Sequence, residues 1–311
     1  MTNRPFHDRC SAVSNGASAD VALLVNPTAG KGRATRVVAS VAGRLTEAGA
    51  NVSILIGHDA ADAVALARRA VTDGVDAVVA LGGDGMAHLA LNAVAGTDTP
   101  LGIVPAGTGN DLAATLKLPV KDPVAATAVI ADRLMNHGAW PMDAVRVGEK
   151  WFGCVLGAGF DSRVNDRANR LSWPRGRMRY NLAILAELRV FKPLSFRLTI
   201  DGGEPWETEA MLVAVGNAKS YGAGMLVCPD ADLADGLVDI TVLGPVSKPE
   251  FLKTFPKVFK GTHITHPAVT TMRAKVVTVE GEGITAYADG EFLANLPVTC
   301  ECVPGAVRIL A

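Results

Sequence analysis

Between Val21 and Val104 short apolar runs alternate with helical stretches, and this alternation constrains the fold more than any other feature of the chain. Val21–Val25, Val52–Ile56, Ala77–Leu81 and Leu101–Val104 read as strands, and Arg33–Ala48, Ala60–Val71 and Met86–Ala95 as helices between them. Parallel neighbours need a crossover, so the series predicts a parallel sheet with helices on both faces. In such sheets a ligand sits beyond the carboxyl ends of the strands. The glycine-rich segments of this chain fall at those ends.

After about Met142 the texture changes. Short alternating segments recur at Ala144–Val147, Trp151–Gly157, Ser195–Ile200, Ala210–Val215, Val238–Val242, Ala274–Val279 and Val298–Cys302. Turn signals such as Asp201-Gly202-Gly203 and Gly281-Glu282-Gly283 separate them, which predicts a mostly antiparallel β domain. Helical insertions interrupt it near Tyr180–Val190 and Pro249–Phe259. The expected organisation is a mobile N-terminus over 1–20, an α/β nucleotide domain over 21–142, a β domain over 143–303 and a closing segment over 304–311.

The 311 residues suffice for two domains, and 49% hydrophobic content supports a substantial core. A net charge of −1 argues against a nucleic-acid binder, which carries a clear basic excess. The five cysteines are few, odd in number and scattered, which fits a reducing cytoplasm better than a disulfide framework. Cys300 and Cys302 share one face of a strand and read as core filler rather than as half of a zinc site. The first twenty residues lack the apolar region of a signal peptide, and no apolar run reaches the roughly 18 residues of a membrane span. Any membrane contact is therefore expected to be peripheral.

Three loops carry the chemistry. Asn26-Pro27-Thr28-Ala29-Gly30-Lys31-Gly32 joins a strand to a helix but fails the Walker spacing, which would need Gly at Val25 and a hydroxyl at Gly32. It reads either as an ordinary turn or as a site where bare backbone N–H groups meet an anion at a helix start. Gly82-Gly83-Asp84-Gly85-Met86 follows a buried strand and opens a helix. Its glycines expose backbone N–H groups for phosphate and leave the Asp84 carboxylate for a nucleotide's Mg²⁺; the alternative is a helix-capping aspartate. Pro105-Ala106-Gly107-Thr108-Gly109-Asn110-Asp111 follows the next strand. Thr108 and Asn110 offer side-chain hydrogen bonds, Gly107 and Gly109 offer backbone access, and Asp111 either caps a helix or joins a metal–water network.

Together these residues resemble the diacylglycerol kinase catalytic-domain family, particularly its soluble bacterial lipid kinases, with sphingosine and ceramide kinases as relatives. The resemblance rests on Asn26-Pro27-x-x-Gly30, Gly82-Gly83-Asp84-Gly85 and Gly107-Thr108-x-Asn110-Asp111. It continues through Cys228-Pro229, Asp232, Asp235-Gly236-Leu237 and Asp289-Gly290-Glu291, so it spans about Val21 to the end. It implies an α/β nucleotide domain and a β-sandwich with the active site between them, and a last segment, about Pro304–Leu310, that returns to the first domain. It implies ATP as phosphoryl donor, contacted by Asn26, Pro27, Thr28, Ala29, Gly30, Gly83 to Met86 and Thr108. A structural Mg²⁺ would be held by Asp232, Asp235 and the Leu237 carbonyl. Glu291, supported by Asp289, would take the proton of a lipid hydroxyl, diacylglycerol being the leading substrate. Against these roles, Asp230–Gly236 also reads as a solvated acidic turn, and Asp289-Gly290 as a plain hairpin turn.

Three positions depart from the family pattern. Met86 stands where a threonine is usual, His88 and Leu89 replace an Asn-Glu pair, and Gly57 replaces a threonine in a nucleotide-contacting turn, although Asn92 still matches a later asparagine. For membrane access, Phe251, Phe255 and Phe259 recur every four residues among Lys248, Lys253, Lys257 and Lys260, which suits either an interfacial helix or a core-facing one. The arginine-dense stretch Arg163, Arg167, Arg170, Arg175, Arg177 and Arg179, with Trp173 and Met178, is a second lipid-facing candidate. Another lipid as acceptor, an NAD kinase, and a non-catalytic nucleotide or lipid sensor are the competing functions. The oligomeric state stays open, a homodimer included.

Overall fold

The structure, a computed structural model, describes residues 18–26, 29–160, 162–164, 167, 182–183, 186–187, 190–222 and 224–311, with 29–33 described as helical backbone only. It divides into two compact units: the residues up to Met142 together with Gly305–Ala311, and Asp143–Pro304.

In the first unit, strands β1 (Ala19–Val25), β2 (Ala50–Leu55), β3 (Ala77–Gly82) and β4 (Leu101–Pro105) alternate with helices α1 (Ala29–Glu47), α2 (Ala60–Thr72) and α3 (Asp84–Val94). The strands form a parallel sheet in the order β2-β1-β3-β4. Its central strands are buried on both faces, as the crossover argument requires. Val21, Leu23, Val79 and Leu81 pack with Val41 and Leu45 of α1 in one core cluster. Their sequence neighbours Ala22, Leu24, Val78 and Ala80 point to the opposite face and are equally buried. β1 begins at Ala19, inside the segment expected to be mobile, because Ala19 pairs with Ala50 and the Asp20 amide donates to the Asp76 carboxylate at 2.7 Å. Two helices that the alternation did not reveal follow β4: α4 (Asp111–Thr115) and α5 (Pro123–Asp132). α5 starts on an Asp122 side-chain cap with proline in its first turn. At the end of the chain Ile309 pairs with Leu101 of β4.

The second unit is a β-sandwich. Its strands are β5 (Trp140–Val147, shared with the first unit), β6 (Lys150–Phe152), β7 (Val155–Gly159), β8 (Leu194–Ile200), β9 (Trp206–Ala210), β10 (Leu212–Gly216), β11 (Val238–Leu243), β12 (Val269–Ala274), β13 (Val276–Glu280), β14 (Thr285–Ala288), β15 (Glu291–Asn295) and β16 (Val298–Ile309, likewise shared). One antiparallel sheet runs β12-β11-β10-β7-β14-β15. Facing it, the first part of β16 pairs with β13, which pairs with β8, which pairs with β9. Phe152, Leu198, Val277, Val279 and Cys300 meet Leu156, Val213, Val215 and Ile240 in a single core. Cys300 and Cys302 are buried there, and burial pushes both thiols up to about 12, as expected of inert core cysteines. The expected single strands Trp151–Gly157 and Ala274–Val279 are each two strands, broken by a bend at Gly153 and at Lys275.

Candidate active site

The parallel register sets the three loops side by side. Val25 pairs with Leu81, Leu81 with Val104 and Gly82 with Pro105, so β1, β3 and β4 end in one row. Asn26 donates its amide to the Leu81 carbonyl at 3.2 Å, and Ala106 donates to the Gly82 carbonyl at 2.7 Å. Pro27 and Thr28 lie outside the described residues. Ala29 and Gly30 open α1, so the 19-residue helix begins inside the expected loop and ahead of its expected start at Arg33.

The second and third loops are joined through Asp84. Helix α3 begins with Gly83 at its cap and Asp84 at its first position, so the aspartate does not cap its own helix. Its carboxylate instead accepts the amide of Asn110 at 2.8 Å and that of Asp111 at 2.6 Å. Asn110 adopts a left-handed conformation with φ 60°. From it the side chain accepts the Gly107 amide at 3.0 Å and donates to the Gly107 carbonyl at 3.2 Å. Glycine is compulsory where the loops touch. A Cβ on Gly107 would lie 2.4 Å from the Gly83 Cα, and one on Gly109 would lie 2.4 Å from the Asp84 Oδ2. Thr108 is exposed, whereas Asn110 and Asp111 are buried.

The departures have local explanations. Met86 is 5% exposed and faces the unit's interior, where a threonine hydroxyl would need a partner. At Gly57 a Cβ would meet the Ala63 amide nitrogen at 2.5 Å, so the start of α2 packs too closely for any side chain. His88 and Asn92 lie one helical turn apart and approach to 3.3 Å.

In the second unit Asp289 and Gly290 form a two-residue hairpin turn between β14 and β15, with φ 53° and 85°. Asp289 does more than turn the chain. Its carboxylate accepts the amides of Gly153 and Cys154 at 3.0 and 2.8 Å. The Gly153 carbonyl in turn accepts from the Asn217 side chain at 3.0 Å, which also donates to the Asp143 carbonyl at 2.9 Å. Glu291 opens β15 and is exposed.

The acidic turn around Asp232 is built differently. Asp232 accepts the Ala234 amide and Asp235 accepts the Leu237 amide, each at 3.0 Å. Arg273 of β12 pairs with Asp235 and lies 3.3 Å from Asp239. Burial, with the charges of Asp230 and Asp232 nearby, pushes the Asp239 carboxyl up to about 6, against the opposing charge of Lys219. Among the described residues no three carboxylate, histidine or cysteine side chains gather as a metal cage. Asp232, Asp235 and the Leu237 carbonyl are oxygen donors of the kind a hard cation takes, but Arg273 already neutralises Asp235 and Asp239.

The second unit also holds an apolar cavity of about 70 Å³. Phe160, Leu243, Val246, Phe251, Phe255 and Val258 supply much of its wall. Phe251 packs on Phe160, with ring centroids 5.1 Å apart, so it faces inward and does not serve a membrane-facing stripe. Phe255 stacks on Phe251 at 5.6 Å and Phe259 meets Phe255 edge-on at 6.0 Å, so the row of rings runs from the interior at Phe251 to the surface at Phe259 as the α-helix over Lys248–Thr254 gives way to 3-10 helix over Phe255–Lys260. Of the arginine-dense stretch, Arg167 pairs with the buried carboxylate of Glu187 at 2.7 Å. Arg170, Arg175, Arg177, Arg179, Trp173 and Met178 lie outside the described residues.

Comparisons to known proteins identify the family. Residues 20–146 match the model of the diacylglycerol kinase catalytic domain, and residues 154–311 match that of the YegS C-terminal NAD kinase beta sandwich-like domain. A diacylglycerol kinase of Mycobacterium tuberculosis is 47% identical over 93% of this chain and 94% of its own length. The chain belongs to the diacylglycerol kinase family. A diacylglycerol kinase of Bacillus subtilis is 29% identical over 88% of this chain and 90% of its own. In fold alone the chain is similar to a diacylglycerol kinase of Bacillus anthracis, with a TM-score of 0.71 at 22% identity over 94% of this chain and 96% of that one. More distantly it is similar to an NAD kinase of Archaeoglobus fulgidus, with a TM-score of 0.54 at 11% identity over 94% and 93%. Family membership makes the protein a lipid kinase. Among the described residues no helix is long and apolar enough to cross a membrane.

Proposed function

We propose that the chain transfers the γ-phosphate of ATP to a lipid hydroxyl, with diacylglycerol as acceptor and phosphatidic acid as product. The observation that carries a lipid acceptor, and not a nucleotide one, is the apolar cavity of the second unit. At about 70 Å³ the closed space is smaller than a whole acyl chain, but its wall of phenylalanine, leucine and valine side chains suits an apolar tail that opens it further. A pyridine nucleotide would leave its polar groups unmet there.

In this reading the first unit binds ATP. Backbone N–H groups of Gly82, Gly83 and Gly85, of Thr108, and of the start of α1 after Asn26 receive phosphate oxygens, while the Gly107 amide is held by Asn110 and that of Met86 by the Gly83 carbonyl. Asp84 keeps the two glycine loops in register and would hold the nucleotide's Mg²⁺ through its remaining lone pairs, with Asn110 and Asp111 completing the loop. Mg²⁺ would supply charge neutralisation on the phosphates. In the second unit Asp289 fixes the hairpin turn, and Glu291, with the longer side chain and no burial, accepts the proton of the lipid hydroxyl. A second Mg²⁺ at Asp232, Asp235 and the Leu237 carbonyl would have to displace Arg273 from Asp235.

Narrowing the cavity tests the acceptor assignment. Val258→Trp should lower kcat/KM for long-chain diacylglycerol while sparing a short-chain, water-soluble one. Equal loss on both would place the acyl chain elsewhere.

A further inference from the structure

The segment over the cavity repeats a three-residue pattern. Phe251, Leu252 and Lys253 run buried, exposed, exposed; Phe255, Pro256 and Lys257 run half-buried, exposed, exposed; Val258, Phe259 and Lys260 run buried, exposed, exposed. One strip, Phe251, Phe255 and Val258, lines the cavity. Beside it lies a second apolar strip that faces solvent, with Leu252 at 50% and Phe259 at 37% exposure. A third strip consists of lysines only. Across 248–260 four lysines stand against one acidic residue, Glu250, which itself lies 3.2 Å from His266.

We propose that this segment docks on an anionic bilayer surface, with Leu252, Pro256 and Phe259 entering the headgroup boundary and Lys253, Lys257 and Lys260 meeting lipid phosphates. The charge pattern selects this occupant. An apolar strip edged by like-charged lysines is repelled by a second copy of itself, while a lipid surface offers hydrocarbon and negative charge at matching depths. The arrangement also places the inner face of the same segment against the cavity proposed for the acyl chain. The purpose of the docking thus rests on the lipid-kinase reading, but its test does not.

Flotation of the full chain with vesicles of phosphatidylcholine and phosphatidylglycerol, against phosphatidylcholine alone, reads the docking directly. The unmodified chain should float with the anionic vesicles and be released by high salt. Lys253→Gln/Lys257→Gln/Lys260→Gln should weaken binding on the order of 100-fold. Leu252→Ser/Phe259→Ser should weaken it too, while leaving the residual binding salt-sensitive. Both variants should phosphorylate a short-chain soluble diacylglycerol as the parent does. Loss of that activity in the parent itself would sink the kinase reading and leave the docking intact. Failure of the parent to float, or unaltered flotation of the lysine variant, would overturn the docking. So would a solution dimer that these substitutions dissociate in the absence of vesicle binding, which would assign the face to a second copy.

Discussion

Replacing Asp84 by asparagine separates its bracing role from its charge. The carboxylate accepts two backbone amides, Asn110 at 2.8 Å and Asp111 at 2.6 Å. Asparagine keeps one oxygen and sets an NH₂ group against the other amide, whichever way it turns. A hydrogen bond to a charged group contributes roughly 1.5–3 kcal/mol, and a carboxylate in the first turn of a helix adds roughly 0.3–1 kcal/mol. The expected loss is therefore about 3 kcal/mol, a fall in Tm on the order of 10 °C for a unit of this size. Gly109→Ala disturbs the same contact from the other side, since its Cβ would lie 2.4 Å from the Asp84 Oδ2. In a double-mutant cycle followed by urea unfolding the two substitutions should couple by at least ~1 kcal/mol. Additivity within about 0.5 kcal/mol, or a Tm change below about 2 °C for Asp84→Asn, would refute the brace.

Glu291→Gln should abolish phosphoryl transfer with unchanged ATP binding and Tm, whereas Asp289→Asn should lower Tm through loss of one of the two amide bonds from Gly153 and Cys154; an active Glu291→Gln with an inactive but stable Asp289→Asn would reverse the roles. A cation at Asp232, Asp235 and Leu237 should raise Tm in Mg²⁺ over that in chelator, and Arg273→Gln should widen the gap; identical melting of the unmodified chain in both rejects the metal. Burial holds His263 below its ordinary pKa, against the opposing bond to the Val227 carbonyl, so the unfolded chain takes up this proton before the folded one does. Stability should accordingly be lost on acidification below about pH 6.5, and His263→Gln should flatten that slope; a slope unchanged by the substitution would contradict it.

The nucleotide-side architecture was legible because hydrophobic period and glycine placement both act locally. Each strand of the parallel sheet ends within a residue or two of its expected limit, since a buried β-branched run followed by glycines leaves few alternatives. What escaped was set by partners distant in sequence. Nothing around Asn217 announces that its amide joins residues 143 and 153, and nothing around Arg273 announces Asp235. The β14–β15 hairpin carried its Asp-Gly signal, but its flanking strands, Thr285–Ala288 and Glu291–Asn295, alternate too weakly to stand out. The three phenylalanines left two readings open, an interfacial helix and a core-facing one. Their spacing was visible, yet Phe251 turns inward through its packing on Phe160, and Phe259 is left outside at the end of the 3-10 turn.

Phosphorylation of a defined lipid mixture is the most direct test of the central claim. The full chain is incubated with γ-labelled ATP, Mg²⁺ and vesicles containing diacylglycerol, a sphingoid base and a glycolipid, with NAD⁺ in the aqueous phase, and the products are resolved by mass spectrometry. Label should appear in phosphatidic acid and be absent when Glu291→Gln replaces the parent. Label in NADP⁺, or no labelled product from a folded chain that binds ATP, would contradict the account.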